Sequence, residues 1–151
     1  MEDQEKRALL EAHWERHANA GDFDESHAIY HEDAVLEWPQ SGERFAGKAT
    51  LRAMRESGPP LRFRTWRIIG SGDVWTAENL MAVADGEPQM CVSILEFRGD
   101  KIIRETVYIT QPFEAASNAE HSLSCSTSRA CRGAVSSRAG LLDSVRLVYG
   151  R

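Results

Sequence analysis

The sequence predicts one α+β domain, with helices near the N-terminus covering a curved antiparallel sheet, and two observations predict it. Helical periodicity is confined to roughly the first third of the chain, and four long β-prone segments joined by turn-rich connectors follow. That segregated order is what a sheet with helices on one face requires.

The first helix is expected over Lys6 to Ala20, where Leu10, His13, Trp14 and His17 recur at the spacing of one amphipathic face, and Gly21 stops it. Asp22 with Glu25 three residues on has the form of an N-cap and capping-box partner, so a second helix should run from Phe23 to His31. Ala34 to Trp38 is a short β-prone run ended by Pro39, and a turn at Gln40-Ser41-Gly42 leads to a second short strand at Arg44-Phe45. Between Gly47 and Glu56 the pattern is helical again, with Leu51, Met54 and Arg55 spaced along it, until Ser57-Gly58-Pro59-Pro60 breaks the chain. Four strands are then expected, Leu61 to Ile69, Val74 to Ala84, Gln89 to Phe97 and Lys101 to Thr110, joined as successive hairpins.

From Ser117 the texture turns to Ser, Arg and Gly, with five arginines set against Glu120 and Asp143. The expected organisation is a folded domain over residues 1–116 and a disordered Ser/Arg-rich tail over 117–151.

Composition excludes several function classes. A net charge of -5 is the wrong sign for a nucleic-acid binder, so no nucleic-acid partner is expected. No apolar run approaches the roughly 20 residues of a membrane span, and the acidic start Met1-Glu2-Asp3 is unlike a signal peptide, so no membrane partner and a cytoplasmic location are expected. Cys91, Cys125 and Cys131 are an odd number without a CxxC pair, which suits reduced thiols. There is no nucleophile elbow, phosphate-binding glycine loop or dinucleotide fingerprint.

Ala20-Gly21-Asp22, then Tyr30 to Glu37, Gly47-Lys48 and Phe97 to Ile102 stand in an order and spacing that resemble the SnoaL-like branch of the nuclear transport factor 2 superfamily. The resemblance covers residues 5 to 116 and implies an NTF2-like cone, a curved sheet wrapped around N-terminal helices, that holds a small apolar or aromatic molecule and forms a homodimer. It implies a cofactor-independent isomerase, cyclase or dehydratase, or else a non-catalytic ligand-binding or dimerisation module. Against the ketosteroid isomerases of the superfamily, the catalytic tyrosine position falls on Trp14, the general base on Trp38 and the second acid on Ser93. All three are replaced, so steroid-isomerase chemistry lacks its residues while the same positions become candidate pocket walls.

Glu105 is a carboxylate in an apolar row with Ile103, Val107 and Ile109 on the last strand. On a concave face it is a candidate acid-base group; on a convex face it is an ordinary carboxylate paired with a neighbouring Lys or Arg. The turn at Arg98 to Lys101 decides. A regular two-residue turn puts Ser93 on the face of Thr106 and Tyr108, and one extra residue or a bulge puts it with Glu105. Glu78 and Glu105 with Arg64 or Arg104 could also supply a water-activating cluster of two carboxylates and an arginine.

His13 with His17, and His27 with His31, have the helical spacing of four that suits a metal, yet no third ligand or HExxH accompanies either pair. No metal and no cofactor are therefore expected. His13 or His17 is instead a candidate acid-base group pointing inward, with the other histidines solvated. The candidate site is thus Glu105, His13 and His17 for catalysis, and Trp14, Tyr30, Trp38, Phe63, Ser93 and Tyr108 for binding. Each tryptophan can equally be simple core.

Overall fold

A computed structural model of the chain describes residues 1–113, apart from Asn19 and the side chain of His17. The expectations for the tail, and for the direction of His17, lie outside the described residues.

Helix α1 (Asp3–Ala12) begins where the Glu5 carboxylate accepts a bond from the Glu2 amide at 2.9 Å. It buries Lys6 and Leu10 and does not continue as an α-helix to Ala20: His13–Ala18 is a π-helical segment. The wider turn of a π segment shifts which side chains share a face, and here both His13 and Trp14 are buried. Helix α2 (Phe23–Ala28) has the expected cap, with Asp22 Oδ1 accepting from the Glu25 amide at 3.1 Å. It ends three residues before His31 because Tyr30 and His31 are drawn into a strand, anchored where the Ile102 amide donates to the Ile29 carbonyl at 2.9 Å. The pair His27 and His31 consequently never shares a helix face.

Strand β1 (Tyr30–Trp38) is longer than the expected run and pairs with short β2 (Glu43–Ala46). Helix α3 (Lys48–Ser57) follows a Gly47 whose φ of +89° is open to glycine and strained for other residues. The remaining strands are β3 (Leu61–Ser71), β4 (Val74–Val83), β5 (Gln89–Arg98) and β6 (Lys101–Thr110). They build one six-stranded curved sheet in the order β2-β1-β6-β5-β4-β3. The hairpin partners β1–β2, β3–β4, β4–β5 and β5–β6 pair antiparallel, β2 and β3 form the two edges, and β1 lies parallel to β6, the last strand returning beside the first across the intervening chain.

Trp75, Leu95, Phe97 and Ile102 from the sheet and Leu10, Trp14 and Leu51 from the helical segments form one buried core. Helix α1 is tied to the β3–β4 turn: Lys6 Nζ donates to Gly72 O at 2.6 Å and to Asp73 Oδ1 at 3.0 Å, and lies 5.0 Å from the Phe97 ring centre. Asp3 Oδ1 accepts from the Gly72 amide on the same turn at 2.8 Å. With α1 fastened there, the π segment and α3 roof the other part of the concave face. No helix among the described residues is long and apolar enough to cross a membrane.

Candidate functional site

The register of β5 on β6 decides what faces inward. Arg98 pairs with Lys101 and Phe97 with Ile102 across a two-residue turn, but the next pair is Glu96 with Arg104, leaving Ile103 as an extra residue. This bulge inverts the alternation beyond it. Glu105 and Val107 therefore join Ser93 on the concave face, and all three are buried. Tyr108 turns outward and is 42% exposed, so its expected place in the pocket is corrected by the same extra residue.

A cavity of about 710 Å³ occupies the concave side, within the size range of small-molecule sites. Its apolar walls include Trp14 from the π segment, Leu36 and Trp38 from β1, Phe63 from β3, Met81 from β4 and Val107 from β6. Trp38 is braced edge-on by Phe45 at 5.2 Å between ring centres. Its neighbour Glu37 points away and accepts from Arg44 at 3.3 Å and Arg104 at 3.1 Å. Of the expected residues, Glu105, His13, Trp14, Trp38, Phe63 and Ser93 line this cavity. The three positions that the resemblance assigned to Trp14, Trp38 and Ser93 thus share one cavity.

Tyr30 lies behind the wall rather than in it. It is 1% exposed, and its hydroxyl donates to Glu105 Oε2 at 2.6 Å. The same carboxylate oxygen accepts from Arg55 Nη2 at 2.9 Å, and Nη2 also reaches the Tyr30 oxygen at 3.1 Å. The Arg55 guanidinium stacks 5.0 Å from the centre of the Tyr30 ring. Both recorded bonds fall on Oε2; Oε1 has no hydrogen-bonding partner among the described residues. Burial, more than any neighbour, pushes the Tyr30 hydroxyl well above the ordinary phenol range, so it stays a proton donor.

His27 completes the network and is 1% exposed, which corrects its expected solvation. Its Nδ1 lies 2.8 Å from the Phe23 carbonyl, which can only accept, and its Nε2 lies 3.4 Å from Arg55 Nη1, which can only donate. Those partners assign the proton to Nδ1 and leave Nε2 as an acceptor that steadies the guanidinium. Burial first, then the nearby Arg55 charge, lowers the pKa of His27 and favours this neutral form.

Sequence reasoning missed Arg55 and His27. The signal for Arg55 was present, because it stands one helical turn after the buried Leu51 on α3. His27 likewise follows Phe23 by one turn, with ring centres 6.2 Å apart. The expected cluster of Glu78 with Arg104 or Arg64 is not assembled: Glu78 pairs with Arg67, and Arg104 pairs with Glu37 and Glu96. Among the described residues, no group of three or more His, Cys, Asp or Glu converges as a metal site.

Comparison with known proteins agrees with this architecture. The model of the SnoaL-like domain matches residues 10–105. The chain belongs to the SnoaL-like domain family. An NTF2-like protein of unknown function from Burkholderia xenovorans LB400 is 40% identical over 82% of this chain and 96% of its own, with a TM-score of 0.77. A candidate ketosteroid isomerase from Kribbella flavida DSM 17836 is 23% identical over 80% of this chain and 88% of its own, with a TM-score of 0.71. A candidate polyketide cyclase from Xanthomonas campestris pv. campestris is 20% identical over 70% of this chain and 90% of its own, with a TM-score of 0.60. At those identities the last two share the fold alone. No protein of curated function matches the chain.

Proposed function

We propose that this SnoaL-like domain binds a compact, largely apolar molecule in its cavity and uses Glu105 to move a proton within it, as an isomerase, cyclase or dehydratase does. The observation that carries this reading is a buried carboxylate on the wall of an apolar cavity, held at Oε2 by Tyr30 and Arg55 with Oε1 left to accept. The fold neighbours named for isomerase and cyclase activities add weight at the level of reaction class.

The chemistry follows from those groups. A proton beside a substrate carbonyl passes to Glu105 Oε1, and its bonding electrons move onto the carbonyl oxygen. An N–H of Arg55 stabilises the resulting enolate oxygen; where the substrate carries a C=C at the β,γ position the enolate is a conjugated dienolate, and the protonated Glu105 returns the proton to its γ-carbon as the double bond moves into conjugation, completing an isomerisation. Preorganisation is the purpose of Tyr30 and His27, which fix the carboxylate and the guanidinium before substrate arrives.

A second reading is a non-catalytic binding module, and the observation favouring it is that Glu105 already has a counter-charge in Arg55 and so has a structural role. Proton exchange separates the two. Ketones of increasing size are incubated with the protein in D2O, and loss of their α-proton signals is followed by NMR. Exchange by the wild type that disappears in Glu105→Gln supports the enzyme; binding seen by tryptophan fluorescence without exchange leaves the binding module.

A further inference from the structure

The cavity's charges say what kind of molecule it admits. Among the described residues, the charged side chains lining it are Arg55, Glu56 and Glu105. Glu56 is paired outside the cavity with Arg52 at 2.6 Å and is 41% exposed, so solvent screens it. Arg55 and Glu105 are 21% and 4% exposed and pair at 2.9 Å, cancelling each other within the wall. On the same wall His27 is held towards its neutral form, by burial first and then by the Arg55 charge.

We propose that the Arg55–Glu105 pair is a charge filter, admitting neutral carbonyl or hydroxyl compounds and excluding carboxylates and ammonium ions. This deepens the reading of the cavity as a small-molecule site and rests on it. A ligand carboxylate would add a second anion beside one guanidinium, leaving an uncompensated charge in a site of low dielectric. An ammonium would compete with Arg55 for Glu105 with the same imbalance. A neutral oxygen meets neither obstacle. Arg55 carries five N–H groups, and its bonds to His27, Tyr30 and Glu105 leave from Nη1 and Nη2 alone. Nε–H and the second Nη1–H remain for a ligand oxygen, while Glu105 Oε1 remains for a ligand hydroxyl.

The test is a matched series on one flat apolar body: 2-acetylnaphthalene, 2-naphthoate and 2-naphthylmethylammonium, titrated at pH 8 with tryptophan quenching as the readout. The neutral ketone is expected to bind at least about tenfold more tightly than either ion. In Glu105→Gln, which keeps the side chain's shape, the unpaired Arg55 should reverse the order in favour of naphthoate; in Arg55→Gln the ammonium should gain instead. Tighter binding of either ion by the wild type overturns the filter while leaving the cavity a ligand site. Failure of all three probes defeats the ligand-site reading itself, and the filter falls with it.

Discussion

Ser93 and Glu105 share the concave face although a regular hairpin through Arg98-Gly99-Asp100-Lys101 would set them on opposite faces. The difference is one residue. Because Ile103 is the unmatched position, deleting it should leave a regular ladder in which Arg104 still faces out and Glu105 still faces in. The expected cost is no more than about 5 °C in Tm, the equivalent of about 1 kcal/mol in a domain of this size. Deleting Thr106, beyond the bulge, should instead turn Val107 and Ile109 outward and prevent folding. Circular dichroism melts of the two deletions check this, and equal damage from both would place the extra residue elsewhere.

The Arg55–Glu105 pair is sheltered enough for its loss to be costly. Removing one partner, in Arg55→Met or Glu105→Leu, should destabilise the domain by about 3–5 kcal/mol, since each leaves a charge in the wall without its partner. Replacing both together should cost far less than the sum of the single changes. Urea unfolding of the four proteins closes the cycle, and additive losses would show that the two side chains act independently.

The fold was legible in the sequence because its signals are redundant. The Asp22 cap, the breaker at Gly58-Pro59-Pro60 and the three tight connectors each mark an element boundary by local chemistry. Less legible were features that local chemistry does not encode. The π turn at His13–Ala18 looks like ordinary amphipathic helix, and the end of α2 depends on Tyr30 pairing with Ile102 of β6 some seventy residues later. For the site, Glu105 stood out as a charge in an apolar row, yet its direction turned on a bulge that no turn residue announces. Arg55 and His27 were overlooked because polar residues on a helix ordinarily face water, and only the tertiary pairing with Glu105 and Phe23 brings them in.

The neutral state of His27 has a measurable consequence. Its folded pKa is depressed, so as pH falls below the unfolded value of about 6.5 the unfolded chain takes up a proton that the folded chain refuses. Stability is therefore full above that pH and declines below it, towards the lowered folded pKa. Acidification also turns Nε2 from an acceptor into a donor facing the donors of Arg55. In His27→Gln the stability lost between pH 7.5 and pH 5.5 should be smaller than in the wild type, the other four histidines being common to both. Denaturant titrations at the two pH values measure it, and an unchanged pH slope would show that His27 titrates normally.

Cys91 sits on the cavity wall, 3% exposed, with its thiol pushed up to about 12 by burial first and by the Glu105 charge second. The thiolate is the reactive species, so at pH 8 a folded Cys91 should be almost inert. A Cys125→Ser/Cys131→Ser variant isolates it. Treated with 5,5′-dithiobis(2-nitrobenzoate) at pH 8, the native variant should release no thionitrobenzoate in the time that the guanidinium-denatured variant takes to react completely. Rapid labelling of the native protein would mean either that the cavity admits a doubly anionic aromatic reagent, against the charge filter, or that the strand opens. A Glu105→Gln change in the same background tells the two apart, because removing that negative charge beside Cys91 speeds attack on an anionic reagent that arrives through the cavity, whereas labelling by opening follows the loss of stability measured for that variant.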